Sequence, residues 1–568
     1  MPRVMDLVID TIIEAGIDHV FGLPGGVTPF LLQAFYQRQD KVRTIIARHE
    51  GIAATMADMY GRLTGKPGVL IGQGIWIATN GAFGIVESFL GGVPMVIITE
   101  VSDLDNLSQQ APYQCGSGEY GTVNIQNIFR SMTKYTTYAT NPEEVVYGVQ
   151  LAIKHAISGR PGPACVIARM GSLGGNIDDP AALLPPIYPL AGYLNVSPPC
   201  ISDPDAKKIA KMLLEANNPI MICGRGIHAS KAYQEVQELA ELIGMPVTTS
   251  YMGKSSLPDI HDLSLGVMAG RGQKLASDFI RRADLILAVG TCLAPDNTNS
   301  GNPDLINPNK HKIIHIDIDP HNAGWTYPIT LGVTSDAKLA LREIINSIKI
   351  VGPPSGVQKT IDEIRSEKEN PENEFFISKF YLSDNEPIEP ERVVKEVNDL
   401  IRENDLLVLD AGNNRIWFTK LFKSKKAGQV IAPGGAAGMG YSAGASLCAA
   451  MLHKDGKVIE IIGDGSLLMT LGALDMAREY NLPLIYIVLN NSSLGNVRDF
   501  LSRKGRSLMD KPETDFATIA TAMGIQGIRV EGVNEIKPAL ERALDMNGPV
   551  LIDVIISKAS HLRVRTSI

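Results

Sequence analysis

The sequence predicts an α/β protein of three domains, each built on a mostly parallel sheet with flanking helices. Three observations lead there. The 568-residue chain is too long for one hydrophobic core. Short apolar runs alternate with helical patterns along its length, which is the sign of parallel sheets. Two stretches rich in proline and polar residues divide it, "NIDDPAALLPPIYPLAGYLNVSPPCISDPD" (176–205) and 352–390, the latter containing "SEKENPENE". The expected domains are residues 1–178, 190–350 and 375–568, with a charged surface helix in the second linker.

The first domain opens with "MPRVMDLVIDTIIEAG", an amphipathic helical pattern whose Asp6 and Asp10 rule out a signal-peptide reading. "GVLIG" and "VPMVIITE" follow as buried strands around a helix over 78–90. In the middle domain "NPIMICGRG", "ADLILAVG" and "KIIHIDIDP" are three strands ending in Gly or Asp. In the last, "DLLVLDAG", "KVIEIIGDG" and "LPLIYIVLNN" repeat the idea. No short-period repeat is present.

Composition excludes several classes. A net charge of −8 argues against nucleic acid or another polyanion, and "KSKK" (423–426) is too short to reverse that. The six cysteines form no CxxC pair and read as small buried hydrophobes in a reducing compartment. Two long uncharged stretches, 67–86 and 427–453, are broken by glycines and by Gln, Asn or Ser, which does not suit a bilayer core. A cytoplasmic protein with no membrane partner is expected.

The stretch "VIEIIGDGSLLMTLGALDMAREYNLPLIYIVLNNSSLG" places polar punctuation at the ends of two buried runs. Between them a helix is predicted over 466–480, with Leu467, Leu471, Leu474 and Met476-Ala477 on its apolar face and Arg478 in its last turn. A strand-helix-strand unit of this length is a right-handed crossover with parallel strands. Asp464 and Asn491 then emerge at one carboxyl edge, where open α/β sheets bind ligands. Gly463 and Gly465 let backbone approach a ligand, and the helix start at Ser466 offers N–H groups to phosphate oxygens. One carboxylate (Asp464), one amide (Asn491) and one backbone carbonyl (Ser493) suit a hard cation such as Mg2+. Gly495 closes the same loop. Taken singly, each mark is an ordinary cap or turn; the pair on these elements points to a site.

Gly463-Asp464-Gly465 followed by Asn490-Asn491 resembles the diphosphate motif of thiamine-diphosphate enzymes. The resemblance implies that Asp464, Asn491 and the Ser493 carbonyl hold Mg2+, which anchors the cofactor diphosphate. "TIIARHEGIAATMADMYGRLTGKPGVL" is similar to the pyrimidine-domain motif of the branch containing acetohydroxyacid synthase, pyruvate oxidase and 2-hydroxyacyl-CoA lyase. There a glutamate, here Glu50, bonds the aminopyrimidine and promotes loss of the thiazolium C2 proton. "VFGLPGG" (20–26) resembles the branch's glycine loop near the substrate, implicating Gly25 and Gly26. "PGGAAGMGYSAGAS" (433–446) resembles the stretch lining the thiazolium, with Gly438 beside Met439, the bulky residue under which the cofactor bends. In such enzymes the two half-sites come from different subunits, which implies a homodimer as minimum and commonly a homotetramer.

The chain also departs from the pattern. Many relatives carry Gly-Pro-Gly where this chain has Ile75-Trp76-Ile77 before Ala78-Thr79-Asn80, so Trp76 alters the substrate pocket and Gln73 is a candidate for polar contacts there. Tyr120-Gly121 stands where relatives place Phe-Gln; Gln109, Gln110, Gln114, Asn124 and Gln126 are candidate replacements for the missing glutamine. In the central domain Gly224-Arg225-Gly226 and Asp317-Ile318-Asp319 end strands where relatives bind the adenosine part of FAD or CoA (an ADP moiety), and Arg271 could face a phosphate. "TCLAPDNT" (291–298) replaces the Arg-Phe-Asp-Asp-Arg of FAD-containing acetohydroxyacid synthases.

The resemblance implies C–C bond making or breaking on a 2-keto acid or related acyl donor, first of all acetolactate synthase-like carboligation of pyruvate. The alternatives are a 2-hydroxyacyl-CoA lyase or oxalyl-CoA decarboxylase, a diketone C–C hydrolase, and a cofactor-retaining regulatory subunit. Glu50 argues against the last, since an inactive paralogue needs no proton relay.

Overall fold

The computed structural model describes residues 2–103, 114–119 and 121–558. Three six-stranded sheets follow one another along the chain. The first contains β1 (His19–Leu23), β2 (Arg43–Ile46), β3 (Gly68–Gln73), β4 (Met95–Glu100), β5 (Tyr135–Ala139) and β6 (Pro163–Ala168). The second contains β7 (Pro219–Cys223), β8 (Val247–Thr249), β9 (Ser264–Val267), β10 (Leu285–Val289), β11 (Lys312–Asp317) and β12 (Leu331–Thr334). The third contains β13 (Leu406–Leu409), β14 (Val430–Ile431), β15 (Val458–Gly463), β16 (Leu484–Asn490), β17 (Gln526–Val530) and β18 (Val550–Ile555). The three-domain α/β expectation holds, and every expected strand is found.

The pairings are parallel, as in β3 with β4 and β16 with β18. The central strands are apolar on both faces, because helices cover both sides; β3, β4, β6 and β16 are buried throughout. The first sheet runs β2-β1-β3-β4-β6-β5 and the third β14-β13-β15-β16-β18-β17, the same order counted from the first strand of each. The second runs β12-β11-β10-β7-β8-β9, with strand order reversing between β7 and β10.

The chain forms two compact units. One holds residues up to Ser197 with 433–454 and 466–484; the other holds 198–432, 455–465 and the chain from Ile485 on. In the first unit, helix Glu50–Thr64 packs on helix Tyr441–Leu452 with almost no space between backbones. A Cβ on Gly444 would meet Thr55 Oγ1 at 2.1 Å and the Ile52 carbonyl oxygen at 2.5 Å. The second unit carries two large apolar clusters, one under the central sheet and one under the third.

Two expected helices are each broken in two. The segment expected as one helix over 466–480 forms helices Asp464–Met469 and Gly472–Glu479. Thr470, whose hydroxyl donates to the Ser466 carbonyl at 2.9 Å, and Leu471 form the joint. The helix expected over 78–90 forms Gly74–Thr79 and Ala82–Gly91 around Asn80-Gly81. The cysteine reading also needs one correction: all six are free, but Cys200 is exposed. No helix among the described residues is long and apolar enough to cross a membrane.

Candidate active site

In the third sheet β15 and β16 are neighbours, so the residues after them meet at one edge, as the crossover argument requires. Asp464 follows β15 and is only 5% exposed. Its Oδ1 accepts the Gly465 N–H at 2.8 Å, and its Oδ2 accepts the Ser493 N–H at 3.1 Å. The same Ser493 N–H reaches Asn491 Oδ1 at 3.1 Å, so one donor ties the carboxylate to the amide. The Ser493 carbonyl accepts the Gly495 N–H at 2.9 Å and keeps its second lone pair. A Cβ on Gly495 would stand 3.0 Å from Asn491 Nδ2, so a side chain there would displace the Asn491 amide. Asp464, Asn491, Ser493 and Gly495 are thus brought together, and a carboxylate, an amide oxygen and a carbonyl suit an oxygen-loving cation. These donors fit the Mg2+ and diphosphate that the motif implies.

One residue at this corner was absent from the sequence reading. Lys511 Nζ lies 3.1 Å from Asp464 Oδ2. The two are distant in sequence, and nothing in a lone lysine of a polar loop signals the pairing.

In the first unit, β2 ends at Ile46 and the next helix begins at Glu50, the expected strand-to-helix junction. His49 caps that helix by accepting the Gly51 N–H at 3.0 Å. Glu50 is buried, and its Oε2 accepts the Asn80 amide N–H at 3.1 Å. Gly25 and Gly26 follow β1 at the same carboxyl edge. A Cβ on Gly25 would meet Gln73 Oε1 at 2.7 Å. Gly26 has φ +60°, and a Cβ there would meet Glu100 Oε1 at 2.2 Å. Gln73 is buried, donating to Ser102 Oγ at 2.9 Å and Gln114 Oε1 at 3.1 Å.

Glu100 ends β4 at this edge, fully buried, and accepts from the Ser102 hydroxyl at 3.0 Å and from the Ser102 N–H. Burial pushes its carboxyl up to about 7, against the pull of those donors. The sequence reading missed it, although an acid closing the apolar run "VPMVIITE" is the same signal that Asp464 gives after β15.

A third cluster fixes the loop that carries Gly438 and Met439. Glu87, buried on helix Ala82–Gly91, accepts four consecutive backbone N–H groups: Gly434 at 2.9 Å, Gly435 at 3.0 Å, Ala436 at 2.8 Å and Ala437 at 2.8 Å. Its Oε1 also pairs with Arg62 Nη2 at 2.8 Å, and Arg62 Nε binds Asp58 Oδ2 at 2.6 Å. Tyr441 Oη donates to the same Asp58 oxygen at 2.6 Å. Burial alone would raise Glu87, but Arg62 and the backbone donors hold it down at about 2. Gly438 lies where a Cβ would strike Phe83 Cε2 at 2.1 Å, and Met439 is half-buried. The available signal for Glu87 was a single acid within the apolar segment 78–90.

Of the remaining expectations, Trp76 lies on helix Gly74–Thr79 and is 39% exposed. Gly121 has φ +80° with open space around it, while Tyr120, Gln109 and Gln110 lie outside the described residues. Asn124 caps helix Ile125–Met132 by accepting the Asn127 N–H at 3.0 Å. Ser466 is buried at the second turn position after Asp464. In the central sheet Gly224 and Gly226 pack on Gly290 across the β7–β10 reversal; a Cβ on Gly224 would meet the Gly290 carbonyl at 2.2 Å.

Three stretches match domains of thiamine pyrophosphate enzymes: the N-terminal TPP binding domain over residues 2–119, the central domain over 206–344 and the C-terminal TPP binding domain over 410–554. The probable acetolactate synthase large subunit of Methanococcus aeolicus is 30% identical over 96% of this chain and 90% of its own length. That of Methanocaldococcus jannaschii is 29% identical over 98% and 92%. The acetolactate synthase large subunit of Corynebacterium glutamicum is 29% identical over 97% and 86%. With a carboxylate, an amide and a carbonyl converging after β15 and β16, and a buried glutamate opening the helix after β2, the chain belongs to the thiamine-diphosphate-dependent enzymes of the acetohydroxyacid synthase branch.

Proposed function

We propose that this enzyme joins or cleaves C–C bonds of a 2-keto acid, with acetolactate synthase-like carboligation of pyruvate as its reaction. The observation that carries this reading is the Asp464–Ser493–Asn491 hydrogen-bonded corner, supported by relatives named acetolactate synthase along the full chain. Asp464, Asn491 and the Ser493 carbonyl would hold Mg2+, and the N–H at Ser466 would receive a diphosphate oxygen. When bound, thiamine diphosphate supplies the electron sink for cleaving a bond next to the donor carbonyl. Glu50 holds a proton against the aminopyrimidine, with its Oε2 oriented by Asn80. Gly438 and Met439 line the cofactor on the loop that Glu87 fixes. Gly25, Gly26, Trp76, Tyr120 and Gly121 border the substrate.

The active unit is a homodimer at least, and a homotetramer by family habit. Six free cysteines support a reducing, cytoplasmic setting. Were the central domain to take the adenosine half of FAD or CoA, the β7–β10 reversal would be its place, since open sheets take ligands there. A flavin absorption band, or CoA in the mass spectrum of a protein extract, decides between the two.

The test is a calorimetric titration with thiamine diphosphate and Mg2+, followed by acetolactate and CO2 assays with pyruvate. Cofactor binding with acetolactate formation is expected. Binding with CO2 released only from an acyl-CoA would replace pyruvate by the lyase substrates. Binding without turnover of any keto acid, unaffected by Glu50→Gln, would favour a regulatory subunit.

A further inference from the structure

Asp464 already has a cation beside it that belongs to the protein. Lys511 Nζ is 3.1 Å from Asp464 Oδ2, the oxygen that also accepts the Ser493 N–H. The ammonium is buried and meets Asp464 as an ion pair without hydrogen-bonding geometry, so donors remain for a further acceptor. Its place is fixed by backbone. The Lys511 N–H donates to the Ser492 carbonyl at 2.8 Å, and the Leu494 N–H donates to the Met509 carbonyl at 3.0 Å. The segment bearing Lys511 is thereby laced to the loop bearing Asn491 and Ser493. The neighbouring acid, Asp510, is drawn instead toward Arg498 at 3.1 Å and Lys558 at 3.4 Å.

Two cations cannot share this carboxylate cheaply. A divalent ion on a carboxylate oxygen stands about 2.0–2.1 Å away. An ammonium held on the same oxygen then lies close enough to repel it. A diphosphate changes the balance, because its oxygens give the ammonium a new anionic partner while they complete the metal's shell.

We propose that Lys511 is a tethered counter-cation of the diphosphate site, which holds Asp464 against a divalent ion until a diphosphate arrives. It is a positioning residue that makes metal and diphosphate bind as a coupled pair. The proposal rests on the reading of Asp464 as a ligand of the cofactor's metal.

The experiment follows free Mn2+ by electron paramagnetic resonance during titration of the full-length protein, with and without thiamine diphosphate. Wild type and Lys511→Arg are expected to bind Mn2+ weakly alone and much more tightly with the diphosphate. Lys511→Met is expected to bind Mn2+ alone about tenfold more tightly and to gain less from the diphosphate. Lys511→Met binding Mn2+ alone no better than wild type, with a wild-type circular dichroism spectrum, overturns the proposal. A misfolded Lys511→Met leaves the decision to Lys511→Gln, read the same way. Asp464→Asn separates the two levels. If it binds Mn2+ with thiamine diphosphate as wild type does, the metal-ligand reading fails, whatever Lys511 does.

Discussion

The Glu87 carboxylate accepts the Ala437 backbone N–H at 2.8 Å, the last of four consecutive donors from the loop that begins at Gly434. A helix residue thereby dictates the path of a loop far away in sequence. Glu87→Gln removes the charge and turns an amide NH2 toward backbone donors. Breaking this buried pair is expected to cost roughly 3–5 kcal/mol in urea unfolding. Because Glu87 is depressed to about 2 from 4.5, its contribution is present above pH 4.5 and lost as pH falls toward 2. The variant's stability is expected to lose that acid-side slope, and its affinity for thiamine diphosphate to weaken.

Glu100 works in the opposite direction. Its carboxyl is raised to about 7, so the folded protein binds a proton that the unfolded chain has released. Its effect on stability is therefore absent below pH 4.5, grows as pH rises, and is complete above about 7. The full penalty is about 3 kcal/mol at most. Glu100→Gln is expected to flatten the fall in the urea midpoint between pH 5 and 7.5, and an unchanged slope would assign that window to other groups.

Glu50→Gln keeps the shape of the side chain and removes its proton chemistry. Turnover is expected to fall roughly a hundred- to ten-thousand-fold, with thiamine diphosphate still bound. Asn80→Ala, which frees Oε2, should give a smaller loss of the same kind. Steady-state kinetics alongside cofactor calorimetry separates a chemical defect from a binding one.

Gly444→Ala tests the helix contact in the first unit. The new Cβ meets Thr55 Oγ1 at 2.1 Å and the Ile52 carbonyl at 2.5 Å, so about 1–3 kcal/mol of stability should be lost. Adding Thr55→Ala should restore only part of it, because the backbone oxygen remains. Denaturation midpoints of the single and double variants give the answer.

The strands around the site were legible because each is a largely apolar run closed by Gly, Asp, Glu or Asn, as in "VIEIIGDG", interrupted only by Glu460, and "LPLIYIVLNN". Asp464 and Asn491 could be paired because a strand-helix-strand crossover fixes which edge their ends share. The helix breaks at Thr470 and Asn80 were not legible, since apolar spacing continues across them. Glu87 and Lys511 were missed for another reason. Their meaning lies in partners hundreds or tens of residues away, and periodicity carries no information about such pairs.

The sequence by itself determined the fold class and the residues closing each site-forming strand, because these depend on local pattern and on one crossover rule, while the cofactor family followed from the resemblance of its motifs to a known family. Tertiary structure alone decided what those residues touch. It brought Lys511 to Asp464, set Gln73 against Gly25, placed Glu100 against Gly26, and turned four N–H groups onto Glu87. Hydrogen bonds and ion pairs are selected by distance in space, and only the packed chain sets that distance.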